Sequence, residues 1–192
     1  DLVDEIAETA FRHISRLQID RKILAEIGSE YMRIGEGAVS VRSSSVTEDL
    51  VGASFAGQYK TELNVFGISN ISDAILRVWA STFSASVISY RMMHQLVDAS
   101  YEMAVVIQKQ LNPNVSGVMF TRNPINGERR LLVSAAYGVG EGVVTGEAEA
   151  DHFELDYKDQ ENISSLIRAK TQQISLNKSG GIHRVSVSRE IV

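Results

Sequence analysis

One stretch of this chain combines the residue types that handle polyphosphate. It runs Val39-Ser-Val-Arg-Ser-Ser-Ser-Val-Thr-Glu-Asp-Leu-Val-Gly-Ala-Ser-Phe-Ala-Gly-Gln58, with an arginine at the end of an alternating run, then hydroxyls, two carboxylates and two glycines. Arg42 can grip phosphate oxygens with a planar two-pronged fork. Gly52 and Gly57, with small residues between them, let backbone N–H groups approach a phosphate closely. The plain alternative is a flexible surface loop, the commoner case on composition alone.

Three further segments could contribute. In Met103-Ala-Val-Val-Ile-Gln-Lys109, alternation buries Ala104 and Val106 opposite Val105 and Ile107 before a polar exit through Gln108, Lys109, Gln110 and Leu111. Such a strand end can face a purine edge or simply leave an ordinary sheet. Gly138-Val-Gly-Glu141 puts a carboxylate on a glycine-rich turn, where it could hold magnesium against phosphate or stand solvated. Arg122, in Thr121-Arg-Asn-Pro124, stands at a strand end as either a phosphate cation or a turn-flanking surface residue. Trp79, Phe83 and Tyr90 read as packing residues, and Arg91 as serving either fold or site. His13, His94, His152 and His183 lie far apart, and none has a recognisable catalytic context.

The elements that must position these residues are mixed. Apolar positions at three-and-four spacing predict two helices over residues 1–34, breaking near Gln18 to Asp20. A strand from Ala38, a long loop from Ser43 to Gly57 and a strand from Tyr59 to Val65 follow. Asn70-Ile-Ser-Asp offers a cap to one or two helices reaching Met93. Met103 to Leu111, Val115 to Thr121 and Arg130 to Ala136 read as three strands of one antiparallel sheet, with Asn-Pro turns between them. His152 to Tyr157 reads as a strand and Ile163 to Ile174 as a helix. Ser179-Gly-Gly reads as a turn before a final strand. Helices and strands in this order favour α+β over a regular alternation.

Composition narrows the function. The 192 residues, 44% hydrophobic and 22% charged, can bury one ordinary domain or two small lobes. The net charge of -5, with basic residues scattered, argues against a nucleic-acid footprint. The absence of cysteine excludes disulfides and thiolate chemistry. No apolar run approaches the roughly 20 residues that span a bilayer, so no membrane role is expected and the cytoplasm is the default location. Both ends are expected to be cut, because Asp1 replaces an initiator methionine and the chain stops within a strand-like run.

The Arg42 stretch resembles the phosphate-covering loop of the phosphoenolpyruvate synthase and pyruvate phosphate dikinase family. The pattern there runs Val-Arg-Ser-Ser-Ala, Thr-x-Glu-Asp and Ala-Ser-Phe-Ala-Gly-Gln. Tyr90-Arg91, Met103 to Lys109, Ser116-Gly-Val-Met-Phe-Thr-Arg-Asn-Pro124 and Tyr137-Gly-Val-Gly-Glu-Gly-Val-Val-Thr-Gly146 follow in the family's order. The resemblance covers roughly residues 36–157 and implies an ATP-grasp-like fold that binds ATP and Mg2+. It implies that Arg42 and Arg122 neutralise phosphate charge and that Ser54, Phe55, Ala56, Gly57 and Gln58 close over the γ-phosphate. Gln108 to Leu111 would receive adenine, and Glu141 would hold the metal. These groups are expected to border one cleft.

Ser134 and Thr145 depart from the Glu and Gln of several relatives, which bears on the metal site. The resemblance further implies partners in the parent chain, a swivelling domain with a phosphate-carrying histidine and a substrate domain. A Gly-Gly-Lys lobe is expected to be absent, with Lys22 no substitute, so the isolated piece is expected to show no dikinase turnover. Residues 1–35 are expected to form a helical lead-in, 36–160 the ATP-binding subdomain and 161–192 an extension. Two alternatives stay open. One is a relative with another acceptor, of the rifampin phosphotransferase or glucan-water dikinase type. The other is a non-catalytic nucleotide-binding or interaction module.

Overall fold

Amphipathic spacing builds the first two helices, whose bounds come from a computed structural model describing residues 2–45, 49–50, 53–54, 57–96, 100–158 and 162–187. α1 (Leu2–Ile14) and α2 (Arg21–Arg33) break where the periodicity predicts. Asp20 caps α2 by accepting the Lys22 N–H at 2.8 Å. In α1 the half-buried stripe is Val3, Ala7, Ala10 and Ile14, whereas Leu2 and Ile6 are exposed. The chain divides into two compact units, Asp1–Gln110 and Leu111–Val192.

The first unit also contains β1 (Val39–Ser45), β2 (Asp49–Leu50), β3 (Ala53–Ser54), β4 (Thr61–Val65), α3 (Ile68–Ser81), α4 (Ala85–Met93) and β5 (Met103–Lys109). β1 is the centre of an antiparallel sheet ordered β4-β1-β5. Alternation sends Val39 and Val41 into a core with Val65 and with Ile71, Ala74, Ile75 and Val78 of α3. Val105 and Ile107 pack on that core, but Ala104 and Val106 are exposed rather than buried. The expected long loop after Ser43 is shorter, because β1 runs on to Ser45 and β2 pairs with β3. α3 starts at Ile68 behind Gly67, so Asn70 does not cap it and instead donates from Nδ2 to the Phe66 carbonyl at 2.8 Å.

Arg91 serves the fold. It is 1% exposed, lies 3.9 Å over the Tyr101 ring and donates to the carbonyls of Ser100 at 2.9 Å and Leu96 at 3.4 Å. Trp79 packs on the core and its Nε1 donates to the Met103 carbonyl at 3.0 Å. Glu62 of β4 is pushed up by partial burial, but hydrogen bonds from Arg77 and Lys60 outweigh this and hold its carboxyl below the usual value.

The second unit contains β6 (Val115–Phe120), β7 (Arg130–Tyr137), α5 (Glu141–Val144), β8 (Asp151–Asp156), β9 (Asn162–Leu166), β10 (Gln172–Leu176) and β11 (Ile182–Ser186). β6 to β9 form an antiparallel sheet in sequence order, and β10 pairs with β11. Two expectations are corrected. β5 belongs to the first unit's sheet and not to that of β6 and β7, and residues 163–174 hold parts of two strands rather than a helix. Cross-strand pairing of β9 with β8 over His152 to Leu155 overrides the helical spacing of the apolar residues. Asp151 ties the β9–β10 connection down, accepting from Lys170 Nζ and from the Arg168 N–H. Partial burial raises its carboxyl, and these donors outweigh that to hold it below the usual value. Among the described residues no helix is long and apolar enough to cross a membrane.

Substitutions at three positions test this packing. Arg91→Ala removes a side chain that is 1% exposed together with its two hydrogen bonds, each about 1.5–3 kcal/mol for a charged donor, so urea unfolding should show a loss of about 3 kcal/mol or more, only partly recovered by Arg91→Lys. Gly138 has a φ of 80°, and a Cβ there would sit 2.1 Å from the Ile174 carbonyl oxygen. Gly138→Ala should therefore cost more than about 3 kcal/mol. Gly146 has a φ of 73° and open space around it, so Gly146→Ala should lose only the conformational part, about 1–2 kcal/mol. Equal losses for the two glycine variants would refute the close contact.

Candidate functional site

Strand alternation decides where Arg42 points. Val41 faces the core, so its neighbour turns to the opposite face of the sheet, opposite Val106 on β5 and Thr61 on β4. Ser44 stands opposite Ala104, and Ser40 opposite Gln108, on that same face. Arg42 is exposed, and among the described residues its guanidinium has neither an ion-pair nor a hydrogen-bond partner. Val106 is 47% exposed beside it. The first unit thus has one apolar sheet face under α3 and an opposite face on which, among the described residues, Arg42 stands exposed and without a partner.

β5 is an edge strand of this sheet, so its outer row of backbone groups pairs with no strand among the described residues. Gln108 and Lys109 lie on β5, and the Gln108 carbonyl accepts from Ser40 Oγ at 3.4 Å. Gln110 lies past the strand, its N–H donating to the Ala38 carbonyl at 2.8 Å. Leu111 is outside the strand and belongs to the second unit, 72% exposed. In the expected phosphate cover, Ser54 pairs with Asp49 through β3 and β2. Gly57 takes a φ of 74° ahead of Gln58, and Phe55 and Ala56 lie outside the described residues.

The remaining predicted residues are in the second unit. Arg122 follows β6 by two residues, is exposed, and donates from Nη1 to the Gly127 carbonyl at 3.1 Å. Glu141 opens the short α5 behind a tightly held turn. The Gly138 N–H donates to the Asn114 carbonyl at 2.8 Å, Ser116 Oγ donates to the Gly138 carbonyl at 2.7 Å, and the Val139 N–H donates to the Ile174 carbonyl at 2.8 Å. The half-exposed Glu141 carboxylate has no partner among the described residues, and no group of three or more His, Asp or Glu there could hold a metal. A single carboxylate is enough only for an ion whose other ligands are water and phosphate oxygens, as magnesium prefers.

Both departing residues have protein partners. Thr145 closes α5, its N–H and Oγ1 each bonding the Glu141 carbonyl at 2.9 Å. Ser134 Oγ lies 2.9 Å from His152 Nδ1 across β7 and β8. His152 has no sequence signal by itself. Aligning the two alternating runs in antiparallel register would have brought it to Ser134.

Comparison with known proteins gives these sites a context. The family model for the pyruvate phosphate dikinase AMP/ATP-binding domain matches residues 2–191. A rifampicin phosphotransferase of Bacillus cereus is 35% identical over 190 residues, 98% of this chain and 22% of that protein. A probable phosphoenolpyruvate synthase of Archaeoglobus fulgidus is 39% identical over 136 residues, 71% of this chain and 17% of that protein. The chain thus spans about a fifth of the length of such relatives. With an α+β fold and a family match along almost its whole length, the chain belongs to the pyruvate phosphate dikinase AMP/ATP-binding domain family.

Proposed function

We propose that this chain forms the Mg-ATP-binding wall of a cytoplasmic, dikinase-like phosphotransferase that passes phosphate to a histidine on a separate domain of the same enzyme. The observation that carries this reading is Arg42, whose guanidinium is exposed and without a partner among the described residues, on the sheet face opposite α3 and beside β5, an edge strand among those residues. Phosphoryl transfer asks a protein for positioning and charge stabilisation rather than covalent chemistry. Arg42 and Arg122 supply positive charge to phosphate oxygens, and residues Ser54 to Gln58 close over the γ-phosphate. The Gln108 to Leu111 backbone meets the adenine edge, and Glu141 contributes one carboxylate to magnesium. Magnesium held there would supply neutralisation of phosphate charge.

The final acceptor is pyruvate on this reading. A second acceptor class is favoured by the rifampicin phosphotransferases, which align over 93–98% of the chain in three species. Assaying the full-length enzyme with pyruvate and with rifampicin separates the two.

Isothermal titration of the chain with ATP should give heat that chelating magnesium abolishes or sharply reduces. Binding indifferent to magnesium would favour a non-catalytic nucleotide module. In the full-length enzyme, Arg42→Ala should lower turnover by roughly a hundredfold or more, the scale of removing one preorganised electrostatic donor. Its stability should stay within about 0.5 kcal/mol of wild type, as for an exposed residue. Arg42→Lys should recover only part of the activity. Normal turnover in Arg42→Ala would remove Arg42 from the phosphate site.

A further inference from the structure

Arg122 leaves the second unit's sheet beyond β6, where an exposed arginine would ordinarily sample many rotamers. The loop after it removes much of that freedom, and Asn123 organises the loop. Asn123 Oδ1 accepts the N–H groups of Ile125 at 2.8 Å and Asn126 at 3.4 Å. Its own N–H donates to the Glu128 carbonyl at 2.9 Å, and its carbonyl accepts the Gly127 N–H at 2.8 Å. Asn126 Oδ1 accepts the Glu128 N–H at 3.0 Å, and Gly127 takes a φ of 74° that closes the turn. The closed loop presents the Gly127 carbonyl, and that oxygen accepts from Arg122 Nη1 at 3.1 Å.

We infer that Asn123 is a positioning residue for Arg122: by closing residues 123–128 into a hydrogen-bonded loop, it fixes the carbonyl that orients the guanidinium. The anchoring bond uses one of the guanidinium's five N–H donors and leaves four for an anion. Holding the fork in place before the ligand arrives removes part of the ordering cost from the binding step. An alanine at this position offers no acceptor to the Ile125 and Asn126 N–H groups. Aspartate keeps one. The inference rests on Arg122 being a contact of this chain to the β- or γ-phosphate, which AMP lacks.

The test compares ATP and AMP binding to the 192-residue chain and to Asn123→Ala, Asn123→Asp, Arg122→Ala and Arg122→Lys, with melting temperatures alongside. Asn123→Ala should weaken ATP binding roughly tenfold, the scale of a displaced charge-assisted contact, and change AMP binding less than about twofold. Asn123→Asp should lie closer to wild type than Asn123→Ala does. A loss that is equal for ATP and AMP would mark a purely structural role and overturn the inference. The Arg122 Nη proton resonances should be resolved in the wild type and in Asn123→Asp, and merged with the exchanging arginine pool in Asn123→Ala. Wild-type ATP affinity in Asn123→Ala, with weakened affinity in Arg122→Ala, would sink the positioning role and leave the phosphate role of Arg122 standing. Wild-type ATP affinity in Arg122→Ala, or no ATP binding by the wild-type chain, would sink both.

Discussion

The register of β1 is the constraint on which the first unit depends. Val39 and Val41 are almost fully buried, and α3 gathers its apolar face over them. Because side chains alternate along a strand, burying these two valines leaves Arg42 no place but the other face. A one-residue slip would put the guanidinium under α3 and the valines in water, so core packing and placement of the candidate cation are one decision. β4 and β5 read that register from either side. The open face therefore follows from the core rather than from the loop that comes after it.

Much of this arrangement was legible in the sequence. The break between α1 and α2, the strand that carries Arg42 and the paired helices before Met93 follow from local periodicity, which is physics within one element, although β1 runs on to Ser45 and puts Arg42 in mid-strand rather than at its end. Relations between elements were harder to read. Met103 to Lys109 looks like a neighbour of Val115 to Phe120 in sequence, yet it completes the sheet around β1, a pairing that no local pattern specifies. Residues 163–174 carry apolar groups at helical intervals, and only the partner strands β8 and β11 make extended structure the lower-energy choice.

The site divides along the same line. Arg42 stood out because alternation and composition both mark it, whereas the hydrogen bonds of Asn123 appear only when the loop is closed. Arg91 could be read either way as sequence, and burial beneath Tyr101 decides it. Ser134 and Thr145 looked like losses against the family pattern. In the fold each bonds a neighbour, His152 and the Glu141 carbonyl, so their positions remain internally satisfied.

Gly138 lies against Ile174, with a parallel bridge between their backbones and the Val139 N–H on the Ile174 carbonyl. The glycine turn that presents Glu141 is thus held partly by a strand made much later in the chain. During synthesis the ribosome must deliver β8 and β9 and reach Ile174 before this turn has its full complement of bonds. Until then the Val139 N–H remains bonded to water, while the Gly138 N–H already has the Asn114 carbonyl, and the nascent chain has β7 without the clamp at its end. Loop-closure entropy makes such a late contact slow compared with hairpin formation. The order of translation therefore makes the Ile174 clamp on the Glu141 turn a late contact of the second unit, available only after β6 to β9 have been synthesised.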